Sequence, residues 1–269
     1  MAALPRWLLL LFASAALLRA APPAALAGAL EYLRDQRSYS WEMINSDPGP
    51  VAQDIETRRG KVTYVAQNFI PNLRGKVARN GDMSIEREWV DGLKLTTIVA
   101  ADGHMVTLTP EGWMSDREIL TAQAEERLGN RPPSSRAPWL RRADRPDVRR
   151  PDQELVPFLK SNLPVESNGD SYTISLRSRN GDPAQPNEND SEPAVDVVVT
   201  MNVRNGMIRD YEVKVAATRR ITRARLPVAV SDQRIVVLSY LPVSRIDLPP
   251  EAEAKLQAAR AATSGRPAP

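Results

Sequence analysis

Few side chains in this sequence are of types that do chemistry, and their spacing does not favour it. Among 269 residues there is one histidine, His104, and no cysteine. A lone histidine cannot build a multi-histidine metal centre. Without cysteine there is no disulfide, thiol nucleophile, Cys-based zinc site, iron–sulfur cluster or lipid-modified N-terminal Cys. A histidine acting as general base needs a nucleophile or carboxylate within reach. His104 instead follows the turn dipeptide Asp102-Gly103, and no Gly-x-Ser-x-Gly element accompanies it. It is expected at the surface beside a hairpin. Walker and Gly-x-Gly-x-x-Gly loops for phosphate are absent. Asp182, Glu188, Asp190 and Glu192 carry oxygens of the kind that bind Ca²⁺, but they lack EF-hand spacing and lie among Pro and Asn. They read as a solvated loop. The chain is therefore expected to hold no metal or cofactor and to be no enzyme.

Composition points the same way. With 36 basic against 33 acidic residues the net charge is +3, too small to imply nucleic acid, and basic residues are not interleaved with aromatics. Residues 1–27 read as a signal peptide: Arg6, then an apolar run from Trp7 to Leu18, then small residues. Two cuts fit, one after Ala20 and one after Ala27. The run is too short to span a bilayer comfortably, and everything after it is too polar for a membrane helix. The expected location is the bacterial periplasm or the exterior, where a cysteine-free chain folds on its core alone.

The elements follow from periodicity. A helix is expected at about 23–36. Tyr39, Trp41 and Met43 alternate with Ser40 and Glu42 as in a half-buried strand. A DPGP loop stands at 47–50, and a further extended run covers 54–70. Asn80-Gly81, Asp91-Gly92 and Asp102-Gly103 recur every 11 residues, and Glu111-Gly112 follows. Asn-Gly and Asp-Gly favour two-residue hairpin turns with positive φ, so an up-and-down meander is predicted. Ser115 and Glu118 form a capping box before a helix whose apolar positions are Ile119, Leu120, Ala124 and Leu128. Residues 130–151 hold seven Arg, five Pro and two acids, and read as a mobile surface loop in which Trp139 lies among the arginines. A helix Asp152–Leu163 should present Leu155, Phe158 and Leu159. A second β run follows, at 171–178, at 195–203 with Val195, Val197, Val199, Met201 and Val203 on one face, beyond Asn205-Gly206, and at RIVVLSYLPV. The acidic insertion at 179–194 interrupts it. Residues 249–262 should be helical, and 263–269 a disordered tail.

This order of pieces resembles the lipoprotein-carrier superfamily of LolA and LolB, the mycobacterial LppX and LprG group, and the N-terminal domain of RseB. The pieces are SYSWEM after a short helix, the meander, the helical crossover, the long antiparallel strands and the closing LPPEAEAKL (248–256). It is also similar to a group of exported proteins of Verrucomicrobia that share SYSW near the mature start, EGW before a capped helix, a later NG hairpin and a final P-x-EA helix. The likeness covers about 31–126 and 151–258. It implies an α+β fold, one domain over 28–262, whose antiparallel sheet is curled into an unclosed half-barrel covered by helices, with an apolar cavity for acyl chains. Strand parity places Tyr39, Trp41, Met43, Val197, Val199 and Met201 on the concave face. The expected function is non-catalytic binding of a hydrophobic ligand, a lipid or acyl chain, as in a lipid or lipoprotein carrier. The rival expectation is an envelope protein-binding or stress-sensing module on the same fold. LolB and LppX are lipid-anchored, whereas this chain, lacking Cys, is expected to carry no such anchor.

Overall fold

The computed structural model describes residues 22–46, 51–57, 60–66, 71–128, 138–143, 150–160, 163–178, 195–220 and 227–264. Residues 1–21 of the expected signal peptide, the DPGP loop, the acidic insertion and residues 265–269 lie outside them, as does most of 130–149.

The sequence opens with α1 (Ala24–Asp35), whose Leu26, Ala29, Leu30 and Leu33 make one buried stripe. Next come β1 (Tyr39–Asn45), β2 (Val51–Thr57) and β3 (Gly60–Ala66). A meander follows: β4 (Asn72–Val77), β5 (Met83–Glu88), β6 (Lys94–Val99), β7 (Met105–Thr109) and β8 (Gly112–Ser115). Then stand α2 (Asp116–Arg127), a 3-10 turn at Pro138–Arg141, α3 (Pro151–Leu155) and a second 3-10 turn at Val156–Lys160. The second β run is β9 (Val165–Asn168), β10 (Ser171–Ser178), β11 (Val195–Arg204), β12 (Met207–Arg220) and β13 (Pro227–Ser239), and α4 (Pro250–Ser264) closes the fold.

Eleven strands form one open antiparallel sheet in the order β8-β7-β6-β5-β4-β1-β13-β12-β11-β10-β9, while β2 and β3 pair as a separate hairpin. The expected single extended run over 54–70 is thus two strands. β1 is the seam. Its Trp41 lies opposite Gly75 of β4 on one side and Leu238 of β13 on the other. Register then puts Tyr39, Trp41, Leu73, Val77, Ile85, Leu95, Val236, Tyr211, Val199 and Met201 on one face, called here the first face. Residues of both halves share one core there with the stripe of α1 and with Leu155 and Phe158. α4 packs on the second face against β7 and β8, burying Ala252 and Leu256 with Ile98 and Val106.

The meander stands where the Gly spacing put it, but its turns are of another type. In each of three hairpins only the glycine has positive φ: Gly81 at 91°, Gly92 at 82° and Gly103 at 85°. The Gly81 N–H donates to the Ala78 carbonyl and the Ala78 N–H to the Asp82 carbonyl, at 2.9 and 2.8 Å, and Gly92 and Gly103 repeat the pattern. These are type I turns closed by a glycine bulge, with one residue more than a two-residue loop. The preceding Asn80, Asp91 and Asp102 stay in ordinary backbone because their side chains accept the N–H two residues on, at 3.2, 3.4 and 3.1 Å. Only Asn205-Gly206, with φ of 54° and 73°, is the expected two-residue turn.

Four further expectations change. α2 has its capping box, with the Ser115 N–H on Glu118 at 2.7 Å, but buries Ile119, Ala122 and Gln123, leaving Leu120 and Leu128 exposed. The helix touches β7 and β8 along one narrow stripe, so apolar residues off it stay outside. The expected helix 152–163 is α3 followed by a 3-10 turn, because Pro157 has no N–H for a continuing α ladder. Residues 138–143 are not surface loop: Trp139, at 4% exposure, packs with Leu140 and Ala143 against Trp89, Leu95 and Ile119. α4 runs to Ser264, two residues into the expected tail.

Gly75 faces the Trp41 ring so closely that an added Cβ would overlap the indole. Gly75→Ala is expected to cost about 1–3 kcal/mol by overpacking. Gly92→Ala, with open space around it, should cost only its backbone strain, about 1–2 kcal/mol. Urea unfolding of the two variants gives the comparison.

Candidate binding face

The first face holds all of the residues expected to line a ligand site, in two groups. Tyr39, Trp41 and Met43 come from β1, and Val197, Val199 and Met201 from β11, with β13 and β12 between. Tyr39, Trp41, Val199 and Met201 are buried in the core that α1 completes. Met43 and Val197 are half-buried at its margin. Val197 belongs to a cross-strand row, Leu176–Val197–Val215, all half-buried and continued by Asp232 of β13.

A polar network stands on the same face under α3, which sequence reading took only as a source of apolar side chains. The Tyr39 hydroxyl donates to Asp152 at 2.5 Å, and the Tyr211 hydroxyl to Glu154 at 2.7 Å. Glu154 also accepts from Arg234 of β13, and Arg150 holds Asp152 at 2.5 and 3.0 Å. Pro151 starts the helix with φ already set, and the two acids in its first turn point at the sheet. Burial opposes the charge on Arg234, but Glu154, Tyr211 and Asp232 around it raise its pKa. Burial pushes the Tyr39 and Tyr211 hydroxyls well above the usual tyrosine range, and the carboxylates beside them push further. The hydroxyls therefore stay protonated and donating. The only sequence signal was the acid pair at 152 and 154. Its partners lie 57 to 113 positions away and are invisible to local pattern.

Towards β8 the first face carries a second polar cluster. Arg87 of β5 is 4% exposed and stands between Leu73 and Leu95 on the flanking strands. Its Nη1 donates to the Arg142 carbonyl and its Nη2 to Thr97 Oγ1, both at 3.0 Å. The Thr97 and Thr107 hydroxyls meet at 2.9 Å. Arg87 Nε is buried without a partner. Desolvation pulls its pKa down to about 10. The guanidinium also lies 5.6 Å from the centre of the Trp89 ring, which Arg142 approaches at 5.5 Å.

Between α1 and the Val156–Lys160 turn lies an open cleft of about 500 Å³, lined by Ala27, Val156 and Leu159 with Glu31, Arg34 and Lys160. That volume is within the range of small-molecule sites. On the second face Ile44, Ile235 and Val237 are exposed, Ile44 directly opposite Ile235. His104 sits at the β6–β7 turn, its N–H held by Asp102. Asp182, Glu188, Asp190 and Glu192, read as part of a solvated loop, lie outside the described residues.

The tyrosines give a pH dependence. Tyr39, Tyr211 and Tyr240 all have folded pKa values above the unfolded one, Tyr240 chiefly through burial. Their contribution to stability is complete below about pH 10 and falls as pH rises past it, since only the unfolded chain then ionises. Phenolate absorbance from these three should appear only together with loss of the folded circular-dichroism signal. Ionisation of all tyrosines before unfolding would contradict the network. No protein-family model and no curated protein matches this chain.

Proposed function

We propose that this is an exported, non-catalytic protein that binds a hydrophobic ligand, a lipid or acyl chain, in the manner of a LolA-like lipid or lipoprotein carrier. In this reading the open sheet is curled as an unclosed half-barrel, its first face is concave, and the helical pieces cover it. The observation that carries the reading is the way those pieces are held. α3 is tied to the sheet through hydroxyls and one ion pair, and an open cleft lies at the surface where the following turn packs on α1. Lifting such a cover exchanges its polar contacts for water, each at about 1 kcal/mol net, and uncovers Leu155 and Phe158, apolar surface that a bound acyl chain would cover in turn. The half-buried row Leu176–Val197–Val215 supplies apolar surface at the margin. Binding on such a surface makes and breaks no covalent bond, so it asks for no nucleophile.

The periplasm or cell exterior is the proposed location. α1 begins at Ala24 and buries Leu26 fully. A cut after Ala27 would remove that core residue, so the proposed cut follows Ala20. A second reading, an envelope protein-binding or stress-sensing module, is favoured by one observation, the exposed Ile44–Ile235–Val237 strip on the second face.

Purified mature protein should take up a fluorescent fatty acid, and native mass spectrometry should show one lipid per chain. Val197→Asp should weaken uptake about tenfold or more, since it puts a charge into the apolar row, with the fold retained by circular dichroism. A protein that takes up no fatty acid would remove the carrier reading. If Ile44→Asp then abolished capture of an envelope protein, the second reading would replace it. Intact mass of the exported protein should begin at Ala21. A chain starting at Gly28 should lose about 2–5 kcal/mol with Leu26.

A further inference from the structure

The first face carries two arginines, Arg87 at 4% exposure and Arg234 with its side chain 22% exposed, and their surroundings differ in kind. Arg234 has Glu154, Tyr211 and Asp232 about it. Arg87 has Leu73, Leu95 and Ile85 on the same face, two neutral oxygens for its Nη groups, and a buried Nε with no hydrogen-bond partner among the described residues, a state that the Arg234 Nε shares. No carboxylate among the described residues pairs with it, whereas exposed Asp91 beside the same Trp89 is spent on Arg142, at 2.6 Å. An uncompensated buried cation is destabilising, and an apolar side chain of similar length would cost the fold less. Its ties to the structure are the Arg142 carbonyl, Thr97 and the Trp89 ring, and none of them neutralises the charge.

We propose that Arg87 is the receptor for an oxyanion, a carboxylate or phosphate, with the Thr97 and Thr107 hydroxyls beside it as further hydrogen-bonding groups. The unused Nε edge of a guanidinium, together with an adjacent Nη, matches two oxygens of such a group. The Trp89 ring and Leu95 flank it with apolar surface, so the partner is the anionic end of an otherwise apolar molecule. This last step rests on the lipid reading above, while the anion site itself also fits free phosphate.

The test uses the mature chain and three probes in calorimetric titration: dodecanoate, dodecanol and inorganic phosphate. The wild type should bind dodecanoate roughly 10- to 100-fold more tightly than dodecanol, the range for hydrogen bonds to a charged group. Arg87→Met should bring both to the dodecanol affinity and should raise Tm, because it removes an unpaired buried charge. Should Arg87→Met not fold, Arg87→Lys keeps the charge without the fork and should lose most of the preference. Equal affinity of the wild type for the two chains, or a preference that survives in the variants, overturns the proposal and leaves the lipid reading standing. Phosphate binding that depends on Arg87, with neither chain bound, upholds the anion site and removes the lipid reading. Failure of all three probes removes both.

Discussion

The sheet depends on one contact, the Trp41 indole lying on Gly75. β1 alone joins the two halves of the sheet, with the β4–β8 meander on one edge and β13 through β9 on the other. Trp41 is paired to both sides and points into the core that α1 completes. Its ring needs bare backbone beside it, so a glycine stands inside β4, where by itself it weakens a strand. The apolar area of the indole offsets that local loss. From this seam the rest follows by nearest-neighbour pairing: within β4 to β8 and within β9 to β13 each strand pairs with the next in sequence, β10 and β11 doing so across the 179–194 insertion.

Local pairing does not place the short helical pieces. α3 has five residues, too few for a stable helix of its own or for a wide apolar contact. It is positioned by its charges: Asp152 and Glu154 reach down to tyrosines and an arginine of three different strands. Such bonds add little net energy, but any other seat would leave carboxylates and a guanidinium buried and unpaired. They therefore set where the helix sits more than how firmly. The turn at 138–143 is held in both ways, by Trp139 and Leu140 in an apolar cluster and by the Arg142 carbonyl on Arg87.

Much of this fold was legible. Period-two alternation identified β1, β11 and β12, and put Val197, Val199 and Met201 on one common face, because alternation is a local property of the pleat. The 11-residue recurrence of Gly identified the meander but not the turn type, since Asp-Gly and Asn-Gly serve a two-residue loop and a glycine bulge equally well. Leu120 was misplaced because α2 touches the sheet along a narrow stripe, and helical period alone does not say how wide the contact is. Trp139 was misplaced because arginines and prolines around it resemble a linker, while its burial depends on Trp89 and Ile119, distant in sequence.

The sequence by itself determined the β-rich class, the meander, the capping box and the sidedness of the strands. All of these rest on interactions within about one turn or one hairpin. Only the tertiary structure decided that β1 is the central seam, that Tyr39 and Tyr211 hold the acids of α3, and that Arg87 lies buried with no carboxylate partner among the described residues while Arg234 has one. Those facts depend on which segments become neighbours at separations from 55 residues, for Arg87 and Arg142, to 113, for Tyr39 and Asp152, and beyond. Local periodicity carries no information on that choice, because two arginines at the same parity look alike until the chain sets one beside Glu154 and the other between leucines.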